Sequence, residues 1–333
     1  MNVSHPAIDA AHDIVGVART LAPRIVASRD DAEEMRQTPP ALAKAIADAG
    51  LYQMFLPRSV GGMELPPLAA FEAVEELSKS DGSVGWCAMI ASDVAMITGW
   101  LPTETLRKMV GSPPDFRAAG SLRPQGKAWP VDGGYRVKGQ WNFASGIMHA
   151  NWLYCPTIIM DGEKPQMTPA GTLKVRAMWL PIEDAQIIDT WQTIGMRGTG
   201  SQDFIIDDKF VPEDRTCFIA EPPVEKGALF NPRLFLVTLW VTTAGNALGI
   251  ARGAIDTFVD IALRDASTQS TALLRDRPHV QSRVGTAEAI LNAARAYVVH
   301  AVDAAWQAVR DGEPDPSRKI ADARLAITHA IHE

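Results

Sequence analysis

The sequence predicts an α+β protein in which a β-domain lies between two helical domains, and three observations carry that prediction. Apolar residues recur at helical spacing from Pro6 to about Val110, short alternating runs fill Phe116 to about Val224, and long alanine-rich helical stretches return from Phe230. The predicted units are an N-terminal helical domain over 1–115, a β-barrel or sandwich over 116–224, and a C-terminal helical bundle domain over 225–333.

Each element has its own local reason. Ile14, Val17, Ala18, Leu21 and Ile25 follow one helix face. Pro39-Pro40 starts a short helix that stops at Gly50, a residue suited to a helix C-terminus. Pro66-Pro67 starts another, with Phe71, Val74 and Leu77 facing inward and Glu72, Glu75 and Glu76 facing water. Asp81-Gly82-Ser83 then caps an apolar helix from Val84 toward Trp100. Strands are predicted at Ala128–Val131 and Tyr135–Trp141, joined by Asp132-Gly133-Gly134, whose glycines accept the positive φ of a tight hairpin turn. Further strands are expected at Trp152–Met160, Leu173–Leu180, Ala185–Thr190 and Asp203–Phe210. Leu234–Leu263, Val280–Arg310 and Ser317–Glu333 read as long helices, the last two separated by Gly312-Glu313-Pro314.

Composition narrows the class of function. The chain has 333 residues, a formal net charge of −7, 47% hydrophobic and 21% charged residues, so it is a globular protein without a basic footprint for nucleic acid or an anionic membrane. Cys87, Cys155 and Cys217 are few, odd in number and far apart, which suits a reduced cytoplasmic setting and offers no metal-ligand spacing. The segment Met1 to Ile14 lacks the cationic and apolar regions of a signal peptide. The longest apolar run, Leu234 to Ile250, is broken by threonines, Gly245 and Asn246, and falls short of the roughly 20 apolar residues of a membrane span. No strand-to-helix Gly-x-Gly-x-x-Gly turn with a downstream acidic residue is present for a nicotinamide cofactor.

Four motifs in fixed order carry a family likeness. They are Ala41 to Met63, with Asp48-Ala49-Gly50-Leu51, Phe55-Leu56-Pro57 and Gly61-Gly62, followed by Glu75-Glu76-Leu77 and Asp81-Gly82-Ser83; Gly133 to Gly139 followed by Trp141 to Gly146; Gly195 to Ser201 with Val211-Pro212-Glu213 after it; and Ala247 to Ala254. Together these resemble the acyl-CoA dehydrogenase superfamily across essentially the whole chain. The resemblance implies a C-terminal four-helix bundle, a flavin (reduced FMN or FAD) between the β-domain and the bundle, and a homotetramer. The sequence stops inside or just after the expected third bundle helix, so a truncated chain is expected.

The same resemblance assigns candidate site residues. Phe143 stands where relatives often place an aromatic residue against the flavin ring, and Ser145 where a hydroxyl meets its polar edge. Ser121, in Ala119 to Pro124, occupies the loop that holds the ring's pyrimidine side, although Leu122-Arg123-Pro124 replaces the usual dehydrogenase pattern. Arg197 and Ser201 lie in a glycine-rich turn that admits close backbone approach and a phosphate-binding guanidinium. Trp86 and Trp100 are expected as aromatic walls for a planar substrate.

Two features favour the reduced-flavin monooxygenase branch. Ser145 to Trp152 matches its Ser-Gly-x-x-His-Ala-x-Trp pattern residue for residue, which nominates His149, with Ser145, as catalytic: a donor near the oxygenated flavin or on a phenolic proton. The second is an absence, since Phe235 to Ile255 contains no carboxylate to take the α-proton of an acyl-CoA. The Arg-x-Phe-Gly motif that helps relatives hold the adenosine half of FAD is missing around Thr268 to Gln281. One departure runs the other way: Ser92-Asp93-Val94 stands where that branch can carry a histidine. The expected activity is therefore oxygenation of an aromatic or heteroatom-containing small molecule, with reduced flavin supplied by a separate reductase. An FAD-dependent acyl-CoA dehydrogenase is the alternative enzyme, and a flavin-free helical binding module the alternative of another class.

Overall fold

The computed structural model describes residues 13–265 and 273–333. The polar stretch at 1–12 and the first part of the Thr268 to Gln281 segment lie outside the described residues.

The N-terminal helices form where the sequence places their start signals. In α1 (Ile14–Ala27) the Asp13 carboxylate accepts the Gly16 N–H at 2.7 Å, and Ile14, Ala18 and Ile25 are buried on the expected face. Then come α2 (Arg29–Met35), α3 (Pro40–Asp48), which ends ahead of Gly50 at φ 76°, and α4 (Pro67–Ser80). Asp81 accepts N–H bonds from Ser83 and Val84 and so starts α5 (Gly82–Ile97), a helix buried on nearly every side. The last helix of this part is α6 (Thr103–Val110). The acidic side of α4 does not face water as its spacing suggested. Arg295 reaches Glu75 at 2.9 Å and Glu72 at 3.3 Å, and Arg19 reaches Glu76 at 3.2 Å. Long-range packing brings those guanidiniums alongside, and no local pattern encodes it.

The middle of the chain forms one nine-stranded sheet: β1 (Ala118–Gly120), β2 (Gly126–Val131), β3 (Gly134–Ala144), β4 (Trp152–Asp161), β5 (Lys164–Pro165), β6 (Val175–Pro181), β7 (Gln186–Ile188), β8 (Gln202–Pro212) and β9 (Thr216–Cys217). Its hydrogen-bonded path runs β7-β8-β3-β2-β4-β6-β9. The ends of that path do not pair, so the expected barrel or sandwich is corrected to a single open sheet. Turn spacing in the sequence marks where strands stop; closure depends on whether the first and last strands meet, which is a non-local matter. The β2/β3 hairpin turns at Asp132-Gly133, with Gly133 at φ 73°.

Two irregularities in the sheet build the site. β1 and β2 run parallel to β4 one after the other, Ala118–Gly120 beside Trp152–Tyr154 and Gly126–Ala128 beside Thr157–Ile159. The intervening 121–125 loop leaves the sheet at that break. In β3 the register against β8 shifts between Trp141 and Ala144, and Phe143 sits inside the shift.

The helical part returns with α7 (Phe235–Arg264), α8 (Pro278–Arg310) and α9 (Ser317–His332). Gly245, Gly249 and Gly253 fall on one line of α7, where an added Cβ would lie 2.6, 2.3 and 2.5 Å from the carbonyl oxygens of Phe71, Glu75 and Lys79 on α4. Side-chain-free positions at every fourth residue thus let the two helix backbones approach closely. No helix among the described residues is long and apolar enough to cross a membrane.

Candidate active site

An open cleft of about 420 Å³ lies between α5, the 121–123 loop, the end of β3 and the 191–201 segment. Alongside Leu122, its most exposed apolar wall is Phe143. The register shift holds this residue at φ 62°, and its side chain is 57% exposed beside Trp191, which meets it edge-on with ring centroids 6.3 Å apart. A left-handed backbone costs a non-glycine residue roughly 1–2 kcal/mol, and an exposed phenyl recovers little of that by burial. Such an unrewarded aromatic is what a flat ligand would cover.

Behind Phe143 runs a chain of hydroxyls. Trp86 Nε1 donates to Ser145 Oγ at 3.0 Å, Ser145 Oγ lies 2.7 Å from Ser201 Oγ, and Ser201 Oγ lies 2.7 Å from Thr199 Oγ1. Each hydroxyl has one hydrogen and two acceptor positions. Thr199 Oγ1 donates to the Met196 carbonyl at 2.9 Å, so the chain runs from Ser145 through Ser201 to Thr199, with Ser145 donating to Ser201 and Ser201 to Thr199. Ser145 accepts from Trp86 and keeps its second lone pair as an acceptor toward the cleft. Opposite it, Ser121 Oγ accepts the Arg123 N–H at 3.2 Å and fixes the loop whose residues 120–123 line the cleft. The set fits a flavin: an aromatic face, a hydroxyl aimed at a polar edge, loop backbone along the opposite side, and Arg123 for negative charge.

Five of the residues singled out from sequence, Trp86, Ser121, Phe143, Ser145 and Ser201, line this one cleft. Three do not. Arg197 pairs with Glu33 at 2.8 Å and donates to the Thr193 carbonyl, so its guanidinium is engaged outside the cleft. Trp100 donates to the Glu221 carbonyl at 2.8 Å and packs edge-on against Phe235. His149 lies behind Gly146, stacked on the buried ring of Tyr52 with centroids 4.9 Å apart. Its ring nitrogens are sealed from solvent without a hydrogen-bond partner, and burial, helped by Arg117, lowers its pKa to about 4. Sequence reasoning missed Ile90, Arg123, Trp191, Met196 and Thr199 as cleft residues. The Met196–Thr199 turn lay inside a recognised motif, but Trp191 and Ile90 carry no local signal.

A family model described as acyl-CoA dehydrogenase, N-terminal domain, matches residues 10–108, and one described as acyl-CoA dehydrogenase, C-terminal domain, matches 241–333. The indole-3-acetate monooxygenase of Pseudomonas putida is 34% identical over 283 residues, which cover 84% of this chain and 70% of that protein. This chain belongs to the acyl-CoA dehydrogenase superfamily, in its flavin-dependent monooxygenase branch. The oxygenase component of an FADH2-dependent resorcinol hydroxylase from Rhizobium sp. is 30% identical, again over 84% of this chain and 70% of the relative. Among solved structures, XiaF from Streptomyces sp., in complex with FADH2 and glycerol, superposes with a TM-score of 0.85 at 24% identity, covering 97% of this chain and 82% of that one. The HsaA monooxygenase of M. tuberculosis gives 0.84 at 24% identity, covering 96% and 82%. Both show the shared fold.

Oxygenation, and not acyl-CoA dehydrogenation, is the chemistry of this monooxygenase. Among the described residues no carboxylate lines the cleft, and α7 contributes none before Asp256. The α-proton of a thioester therefore has no ionised base among them to receive it there.

Proposed function

We propose that the Phe143 cleft holds reduced flavin and that the enzyme uses it with dioxygen to oxygenate a small aromatic or heteroatom-containing compound. The observation that carries this reading is the exposed Phe143, held in left-handed backbone in the same cleft as Ser121 and a hydroxyl chain that leaves a Ser145 lone pair facing the cleft. Bound there, the flavin supplies the redox chemistry. The chain's own residues orient it: Phe143 and Trp191 cover its face, Ser145 accepts from an N–H on its polar edge, and the 120–123 loop meets its other side. Trp86 Nε1 holds Ser145 in register. His149 is a positioning residue in this reading, since its ring supports the Gly146 turn from behind.

A separate reductase fits the same reading. Gly195 to Ser201 forms a short helical turn leading into β8 of an antiparallel pair, with no strand-to-helix dinucleotide turn, and the Rhizobium relative is itself named as an oxygenase component. A homo-oligomer is supported by the large apolar side chains of α7 left exposed, among them Leu236, Trp240, Ile250 and Phe258. The deciding experiment is anaerobic titration with reduced FMN and FADH2, followed by exposure to labelled dioxygen with an aromatic substrate. Tight reduced-flavin binding and label in the product are expected. Anaerobic flavin reduction by an acyl-CoA would overturn the assignment.

A further inference from the structure

The wall of the cleft that carries Trp191 is irregular backbone. Residues 189–196 run from the end of β7 to the helical turn at Arg197 without a regular element, and Ile194 is fully exposed at their tip. Trp191 is only half-buried, and its indole meets Phe143 edge-on. A segment with so little apolar burial is held by its polar anchors.

Those anchors come from two directions. On the sheet side, Gln202 Oε1 accepts the N–H groups of Thr190 and Trp191 at 2.8 and 2.9 Å. On the other side stands the end of α2. Arg36 forks onto Asp189, Nη1 to Oδ1 at 2.7 Å and Nη2 to Oδ2 at 2.8 Å, and Nη1 also donates to the Trp191 carbonyl at 3.0 Å. In the reverse sense, Arg197 pairs with Glu33 of α2 at 2.8 Å and donates to the Thr193 carbonyl at 3.0 Å. Each side therefore supplies one cation and one anion, and the two pairs cross between α2 and the cleft wall. Hydrogen bonding from Arg36 holds the Asp189 carboxyl below its usual range, so this pair is ionised at neutral pH. A single exposed ion pair fixes little, but a bidentate fork that also binds a carbonyl fixes both distance and direction.

We propose that Arg36 and Arg197 are positioning residues of the flavin site, their latch to Asp189 and Glu33 holding Trp191 in place before the ligand arrives. This rests on the reading that the cleft holds reduced flavin. Through the latch α2, which lines no part of the cleft, sets its affinity. Without it the ligand has to order the indole and its backbone on binding, which lowers affinity about threefold to tenfold. The latch also gives a role to Arg197, whose glycine-rich turn suggested a phosphate ligand.

The test is anaerobic titration with reduced FMN of the wild type, R36Q, R197Q, W191A, R36Q/W191A and R197Q/W191A, with thermal melting as a separate report on folding. R36Q and R197Q should each weaken binding about threefold to tenfold, chiefly through faster release. In the W191A background neither should change affinity by more than about twofold, because the residue they act through is gone. D189A removes the carboxylate partner of Arg36 and should reproduce R36Q, which keeps the test decisive if R36Q does not fold. A merely structural arginine would weaken binding by the same factor in both backgrounds, and that outcome overturns the proposal, as do R36Q and D189A with wild-type affinity. Failure of the wild type to retain reduced FMN overturns the proposed function, whereas tight wild-type binding with unaffected variants overturns only the latch.

Discussion

Replacing His149 with Phe tests whether this ring acts through burial or through its proton. In the folded protein the imidazole is stacked on Tyr52, both nitrogens are sealed without partners, and its pKa falls from 6.5 to about 4. A histidine whose folded pKa is depressed contributes stability that is fully present above pH 6.5 and is lost as pH falls toward 4, because only the unfolded chain takes up the proton in that window. The gap of about 2.5 units corresponds to about 3 kcal/mol. Phe keeps the stacked area and has nothing to protonate. Urea unfolding of both proteins between pH 7.5 and 4 should show wild type losing about 3 kcal/mol more than the variant across that range. Carboxylates that titrate in the same window are common to both proteins and cancel in the difference. Parallel stability curves would show that His149 is solvated or paired. Product coupling in the variant near pH 7.5 should stay close to wild type, and a large rise in hydrogen peroxide would mean that the ring reaches the reacting atoms after all.

Ser145→Ala should weaken reduced-flavin binding by about 1 kcal/mol, or about fivefold in Kd, whereas Ser201→Ala acts through Ser145 and should add little in the double variant. Anaerobic titration of the four proteins decides this, and additive effects would break the relay picture. Phe143→Asn should hold or raise thermal stability, since Asn tolerates left-handed backbone, yet lower flavin affinity; loss of both would mean that the phenyl is a structural residue. Gly249→Ala should destabilise by about 1–3 kcal/mol, because its Cβ would meet the Glu75 carbonyl at 2.3 Å, and an unchanged unfolding midpoint would contradict the close α4–α7 approach.

Local chemistry makes much of this protein legible in its amino-acid sequence. Helical spacing around Ile14 to Ile25, proline starts at Pro40 and Pro67, the Asp81 cap and the Asp132-Gly133 turn each depend on a few neighbouring residues, so each can be read directly and is observed. The order of helical, sheet and helical parts follows from the same periodicities, and the motif around Trp141 to Ser145 leads to residues that line the cleft. What the sequence does not express is where distant segments meet. The sheet stays open because β7 and β9 never pair, and the α4 glutamates are half-buried because Arg295, more than two hundred residues away, comes to lie beside them. His149 resembles a site residue by its motif, but the turn at Gly146 and the ring of Tyr52 place it behind the cleft. Asp93 sits on an apolar helix, and only the approach of α7 gives its buried carboxyl a hydroxyl donor, Thr242, while burial pushes its pKa well above the usual carboxylate range. Protonation and exposure are set by surroundings that the chain assembles from its far ends, and those exist only in the folded structure.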